Sequence, residues 1–330
     1  MPTGFLRASR RTLLLIAAAG LAALCQPTDA SAQAWPSRPV TLVVAYGPGA
    51  SNDTFTRAIA GILTKRFGQP FVVENRPGAG GFTGTQAVSK AEPDGYTWLE
   101  MPSGVASFGS VMEVKFDPVT DLQPVALFAR TPTAMLVPAT LPVKTVKEFN
   151  DYARANPDKM FYGFAGIGTA QHQHAEMYKT ATGLKIKGVN YKSSADAQTD
   201  LVAGRLQVMF VTIASTLGQI QSGQLRLLAY ADSNLPANVP PAPTLKEAGV
   251  PDMEKAQTWW SFFAPPKTPQ DIVMKMNSAI NDALKDPDFA ALLARSGATP
   301  APGDPSQLAA TLKDEIAGLT AFAKSAGMMK

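Results

Sequence analysis

Cysteine is all but missing: the 330 residues hold one, Cys25, and it falls among the first 34. With that segment removed, disulfides and thiol chemistry are excluded as stabiliser or as mechanism. Histidine is almost as scarce, with only His172 and His174. Neither charge sign dominates, since 30 Lys and Arg face 26 Asp and Glu. No basic stripe with interleaved aromatics appears, which argues against a nucleic-acid partner. Long apolar runs are absent beyond the N-terminus, and nothing after residue 34 is long enough to span a bilayer.

The exception at the N-terminus is informative. Arg7, Arg10 and Arg11 precede an apolar run from Leu13 to Leu24, followed by Ala32-Gln33-Ala34. That order reads as a secretory signal peptide over 1–34, with the mature chain beginning near Trp35 in the periplasm of a Gram-negative cell. A lipoprotein alternative would acylate Cys25, but bulky Leu24 stands where such cleavage sites want a small residue. Removing a leader with three arginines and one aspartate leaves a net charge of about +2, on roughly 300 residues that suffice for one large domain or two smaller ones.

Proline (27) and glycine (26) punctuate the rest and make its elements legible. Val40 to Tyr46 reads as a buried strand ending in Gly47-Pro48-Gly49. An amphipathic helix follows, with Ser51, Asn52 and Asp53 as candidate N-caps, Phe55, Ile59, Ile62, Leu63 and Phe67 at helical spacing, and Gly68 with Pro70 as its stop. Strands are expected at Phe71 to Glu74 and Tyr96 to Glu100, with a short helix from Thr83 to Lys90 between them. Strand alternating with helix implies a parallel sheet covered on both faces. The grammar repeats from Phe161: strand, glycine turn, helix to Thr182, strand Gly188 to Tyr191, helix Ser194 to Ala203, then strands at Leu206 to Phe210 and Leu225 to Ala231. The last third is mostly helical. Pro269 opens one helix, and Asp304-Pro305 opens another with Leu308, Leu312, Ile316 and Leu319 as its buried stripe.

The glycine turns raise the question of phosphate binding, and the spacing answers it. Gly78, Gly80 and Gly81 are followed by Thr83 where a dinucleotide fingerprint needs its third glycine, Gly47 to Asp53 also fails the pattern, and no G-K-[ST] exists. No nucleotide or other cofactor is expected. What remains is the unpaired N–H groups at a helix start, which favour a small anion such as a carboxylate, or else Ser51 or Asn52 capping its own helix. His172 and His174 are two apart on a helix and diverge by about 200°, so they do not face one metal ion. His172 near a helix N-terminus reads as a neutral hydrogen-bonding or structural residue. No G-x-S-x-G elbow or nucleophilic cysteine is present, so no enzyme activity is expected. "TWWSFF" from Thr258 to Phe263 is either a core strand or a stacking surface for an aromatic ligand.

The stretches "WPSRPVTLVVAYGPGASND", "GQPFVVENRPGAGG", "AEPDGYTWL", "FDPVTDLQPV", "YGFAGIGTAQH", "VNYKSSADAQTDLVAGRLQVMF", "PTLKEAGVPDME" and "APPKTP", in that order, resemble the periplasmic solute-binding proteins of tripartite tricarboxylate transporters, the TctC-like or Bug proteins. The match covers essentially the whole chain after the leader. The resemblance implies an α/β periplasmic-binding-protein type II fold, with two domains joined by two crossing strands and a ligand cleft between them. By analogy domain 1 is 35–130 plus 261–330 and domain 2 is 131–260, with crossovers near Ala126 to Val137 and Gln257 to Ala264. It also implies a carboxylate held by the loop of Tyr46, Gly49, Ala50, Ser51 and Asn52, by Ser103 and Gly104, and by the loop of Gly166, Gly168, Thr169, Ala170 and His172. Tyr191, Ser193, Thr212, Trp260 and Ser261 are expected to line the cleft as well.

Departures from the family pattern sharpen the expected ligand. Ala50-Ser51-Asn52-Asp53 stands where relatives read "GGPTD", and Val211-Thr212 where they often read "VMFDN". Ser193 and Ser261 stand where glycine is common. Added hydroxyls and amides with one lost acid point to an oxygen-anion ligand lacking an amine. Trp260 and Phe263 extend this to an aromatic acid or diacid, terephthalate being one candidate. The implied partners are the large and small membrane subunits of such a transporter, served by a monomeric receptor. The alternatives are a ligand-loaded signal to a membrane sensor kinase, or a secreted hydrolase or isomerase on the same scaffold.

Overall fold

The computed structural model describes residues 35–111, 114–231, 235, 239–251, 253 and 258–325, and the following concerns the unit that starts at Arg38. The proposed leader, 1–34, lies outside the described residues.

The first α/β body is built on a six-stranded sheet. Its parallel part has β1 (Val40–Val44) between β2 (Phe71–Asn75) and β3 (Thr97–Pro102). Helix α1 (Ser51–Phe67) connects β1 to β2, and α2 (Phe82–Ser89) connects β2 to β3. These are the expected elements, each within two residues of its expected bounds. The αL turn that stops α1 is at Gly68, where a left-handed φ of 69° suits glycine. Beyond β3 and the four-residue helix α3 (Phe108–Val111), the sheet turns antiparallel, which strand–helix alternation did not suggest. β4 (Gln123–Thr131) leaves the body and β10 (Thr258–Ala264) re-enters it, so these two run against each other and β10 runs against β3. Short β11 (Thr299–Pro300) edges β4.

The chain crosses at Pro132 into β5 (Thr133–Pro138), the centre of a three-stranded antiparallel sheet. Around it lie α4 (Val146–Ala155), β6 (Phe161–Phe164), α5 (Ala170–Thr182), β7 (Lys187–Asn190), α6 (Ser194–Val202), β8 (Met209–Thr212), α7 (Leu217–Gln221) and β9 (Leu225–Tyr230). The second body's sheet is therefore split: β8-β5-β9 on one side and the parallel pair β6-β7 on the other, tied by a bridge from Tyr162 to Val208. Expected strand 206–210 shifts to Met209–Thr212, since Gln207 spends its backbone N–H on the Phe161 carbonyl and its side-chain oxygen on the Phe161 N–H.

The two crossings meet: the hydroxyls of Thr133, just past the first, and Thr258, opening β10, lie 2.9 Å apart. Three helices complete the first body, α8 (Gln270–Ala283), α9 (Pro287–Arg295) and α10 (Pro305–Ser325). The expected stripe of α10 packs as read, with Leu308, Leu312 and Leu319 buried and Ile316 partly so, the helix lying against β4, the 103–107 turn and α3. Among the described residues no helix is long and apolar enough to cross a membrane.

Candidate functional site

β1, β3 and β6 each deliver their chain to a loop at the carboxyl end of a parallel strand, the edge where such sheets bind ligands. After β1, helix α1 begins at Ser51, with Ala50 in the N-cap position and no side chain capping it. The expectation that Ser51 or Asn52 caps α1 is corrected here. Ser51 is already the first helical residue, and Asn52 turns inward, its Nδ2 donating to Glu100 Oε2 at 3.0 Å. An uncapped first turn leaves the N–H groups of Ser51, Asn52 and Asp53 without intrahelical acceptors. Asp53 folds back to accept from the Gly49 N–H at 2.9 Å. Burial alone would raise its carboxyl, but Arg57, Gly49 and Asn75 together hold it below the usual carboxylate range.

Tyr46, at the end of β1, is half-buried among glycines. Its hydroxyl donates to the Gly80 carbonyl at 2.9 Å, and a Cβ placed on Gly104 would lie 3.4 Å from that hydroxyl. Burial, then the nearby Glu100 carboxyl, push the phenol far up, so it stays a neutral donor. Ser103 and Gly104 begin a 3-10 turn (Ser103–Ser107) whose last hydroxyl, Ser107 Oγ, lies 2.6 Å from the Gly168 carbonyl and 2.8 Å from that of Gly104.

In the second body, Thr169 caps α5, its Oγ1 accepting from the His172 N–H and donating to the Gly166 carbonyl. His172 Nδ1 accepts from the Gly168 N–H at 3.3 Å, which leaves its proton on Nε2. Burial lowers its basicity, so the ring is neutral. Ala170 opens the helix, and its carbonyl lies 2.7 Å from the His174 ring. Ser193 caps α6 through the Asp196 N–H. Thr212 ends β8 with its hydroxyl 3.3 Å from that of Ser215. Of the three helix starts expected at the cleft, α1 alone lacks a side-chain cap.

The loops of the two bodies touch. A Cβ on Gly80 would lie 2.7 Å from the Ile167 carbonyl oxygen, and one on Gly166 would lie 2.7 Å from Gly80 Cα. Within the turn "NRPGAGG" it is Gly80 whose missing side chain lets backbone meet backbone between the two bodies. Gly80, Ser107 and Glu100 were missed by sequence reasoning. The signal for Glu100 was present, as a lone carboxylate within the otherwise apolar "WLEMP". The others had no local signal.

Three expected residues are engaged elsewhere. Trp260 packs edge-on against Phe55 of α1 with ring centroids 5.0 Å apart, within the core. Ser261 is fully buried and donates to the Met101 carbonyl at 2.8 Å. The Tyr191 hydroxyl donates to Asp200 at 2.8 Å; partial burial and that bond push it up to about 12. Phe263 is likewise core, so "TWWSFF" is a buried strand and the argument for an aromatic ligand loses its footing. Among the described residues no three His, Cys, Asp or Glu side chains gather as metal ligands.

Residues 55–328 match the family model described as the tripartite tricarboxylate transporter family receptor. The chain belongs to this family. It is similar to the solved periplasmic binding protein BugD, at 31% identity and a TM-score of 0.84 over 90% of this chain and all of that one. The Rhodopseudomonas palustris protein Rpa4515, solved with adipate, is 34% identical with a TM-score of 0.82, covering 89% and 98% of the two chains. MatC from the same species, solved with malate, is 30% identical with a TM-score of 0.82, covering 87% and 99%. The receptor family and BugD fix the fold as a two-domain α/β periplasmic-binding-protein fold, with the cleft between domains joined by two strands. They also assign the chain to the periplasmic solute-binding receptors, whose membrane partners are the transporter's subunits.

Proposed function

We propose that this receptor captures an organic carboxylate, without turning it over, and delivers it to the large and small membrane subunits of its transporter. The observation that carries the reading is the uncapped start of α1 at the carboxyl end of β1, supported by a neutral His172 ring whose Nε2–H is left to donate. Ser51 and Asn52 N–H groups and the Ser51 hydroxyl grip one carboxylate from domain 1, with Tyr46, Gly49, Ala50, Ser103 and Gly104 around it. Gly166, Gly168, Thr169, Ala170 and His172 meet it from domain 2, while Ser193 and Thr212 face its far end. No fixed cation is needed: charge-assisted hydrogen bonds contribute about 1.5–3 kcal/mol each, and micromolar affinity corresponds to about 8 kcal/mol. Domain 1 is 35–130 with 261–330, domain 2 is 131–260, and 1–34 is the leader that exports the chain. Adipate in Rpa4515 and malate in MatC, both carboxylic acids, support the ligand class.

Thermal-shift screening of protein purified from a periplasmic fraction tests this. Adipate, malate, terephthalate and benzoate form the acid panel, with putrescine and glucose as contrasts. At least one acid should raise the melting midpoint by several degrees. A shift with putrescine or glucose and none with any acid overturns the reading.

A further inference from the structure

Two carboxyl groups of the protein itself sit at the start of α1, and an anion site there works only if both are neutralised. Asp53 has its counter-charge, Arg57 at 2.9 Å, with Asn75 and Gly49 as further donors. Glu100 has none. It is wholly buried on β3, flanked in register by Val44 of β1 and Phe262 of β10. The single hydrogen-bond partner of its side chain among the described residues is Asn52 Nδ2, at 3.0 Å from Oε2, and Oε1 has no partner. The titratable groups around it are Tyr46 at the end of β1 and Asp53 and Arg57 on α1, while β10 presents only Trp260 and Phe262. A buried carboxyl with an unpaired oxygen, bonded to the first turn of a helix that no side chain caps, is an expensive feature for mere packing.

We propose that Glu100 is a positioning residue for carboxylate capture: as the neutral acid it anchors the first turn of α1 through the Asn52 side chain and leaves the helix's positive end to the ligand, whereas ionised it opposes the ligand from beneath the same turn. The inference rests on the carboxylate reading of the site. Burial pushes this carboxyl up to about 8, against the pull of the Asn52 hydrogen bond and helped by the charge of Asp53. The neutral form therefore prevails at neutral pH and is lost as pH rises through about 8. By linkage, a bound carboxylate favours protonated Glu100, so binding near that pH takes up a proton.

Isothermal titration of the whole acid panel at pH 6.5, 8 and 9.5, in buffers of differing ionisation enthalpy, tests the proposal. For wild type, Kd should rise about tenfold or more from the lowest pH to the highest, with proton uptake near pH 8. In Glu100→Gln the same interval should change Kd by less than about threefold with no uptake. In Asn52→Ala the pH of half-loss should move upward, because the lost bond favoured the ionised form. Parallel pH profiles in wild type and Glu100→Gln overturn the proposal and leave the carboxylate reading standing. If Glu100→Gln does not fold, an unmoved midpoint in Asn52→Ala overturns it instead. Failure of every acid to bind any of the proteins at any pH overturns the carboxylate reading, and the role of Glu100 with it.

Discussion

Gly166→Ala separates strain that is always present from a clash that exists only where the two loops meet. Gly166 has a φ of 105°, in the region glycine tolerates and alanine does not. That strain of about 1–2 kcal/mol acts in every conformer and should lower the melting midpoint by a few degrees. The second effect is local. The new methyl would lie 2.7 Å from Gly80 Cα and 2.9 Å from Gly80 N, whereas carbon atoms rest about 3.5–4.0 Å apart. The backbones must part by about 1 Å, which also loosens the Ser107 to Gly168 bond beside them. Overpacking of this kind costs about 1–3 kcal/mol, and domain closure around ligand is where it is felt. At about 1.4 kcal/mol per tenfold, carboxylate affinity should fall by about 5–150-fold. Calorimetric titration of an acid that binds wild type reads the second effect, and a thermal melt without ligand reads the first. A lowered melting midpoint with Kd within twofold of wild type would show that the touching loops are no part of the liganded state.

The ionisation of Glu100 should also be visible without ligand. Its folded-state carboxyl titrates at about 8 against an ordinary 4.5, so the folded protein keeps a proton that the unfolded chain gives up. Stability therefore falls as pH rises from about 4.5 to about 8, by up to about 5 kcal/mol, and levels off above; denaturant melts of Glu100→Gln should lack that slope. Asp53 has the opposite sign, being held below its ordinary 3.8. Asp53→Asn should destabilise by about 1–3 kcal/mol at pH 7, a difference that disappears as pH falls through the depressed value, as acid-range melts would show. At the crossing strands, Thr133→Val alone should cost about 1–2 kcal/mol by leaving the Thr258 hydroxyl short of a partner. The Thr133→Val, Thr258→Val pair should cost less than the two single changes summed, which a double-mutant cycle measures.

How much of this was legible beforehand depended on range. Gly68, Gly183 and the prolines mark element ends through their own backbone preferences, so most bounds of the helices and parallel strands were readable to within two residues. The positions of the loops 46–53 and 166–172 followed from the same local grammar. What was hidden were pairings set by tertiary packing. Ser107 meets Gly168 from 61 residues away, and Thr133 meets Thr258 from 125. Periodicity at 2 or 3.6 residues carries no information about such distances. The burial of Trp260 and Ser261 is hidden for a related reason: alternation on a strand says which residues share a face, and both faces of β10 are core. Asn52 was read as a ligand donor, and the carboxyl that claims its side chain was already in the sequence, standing out as the lone charge in β3.

The most direct test of the central claim is a crystal structure of the protein bound to whichever panel acid raises its melting midpoint most. One carboxylate should lie at the uncapped start of α1, accepting from the N–H groups of Ser51 and Asn52 at about 2.7–3.1 Å, with the Gly166–His172 loop closing on it from the other domain. A carboxylate held elsewhere, with that first turn left to water, would contradict it.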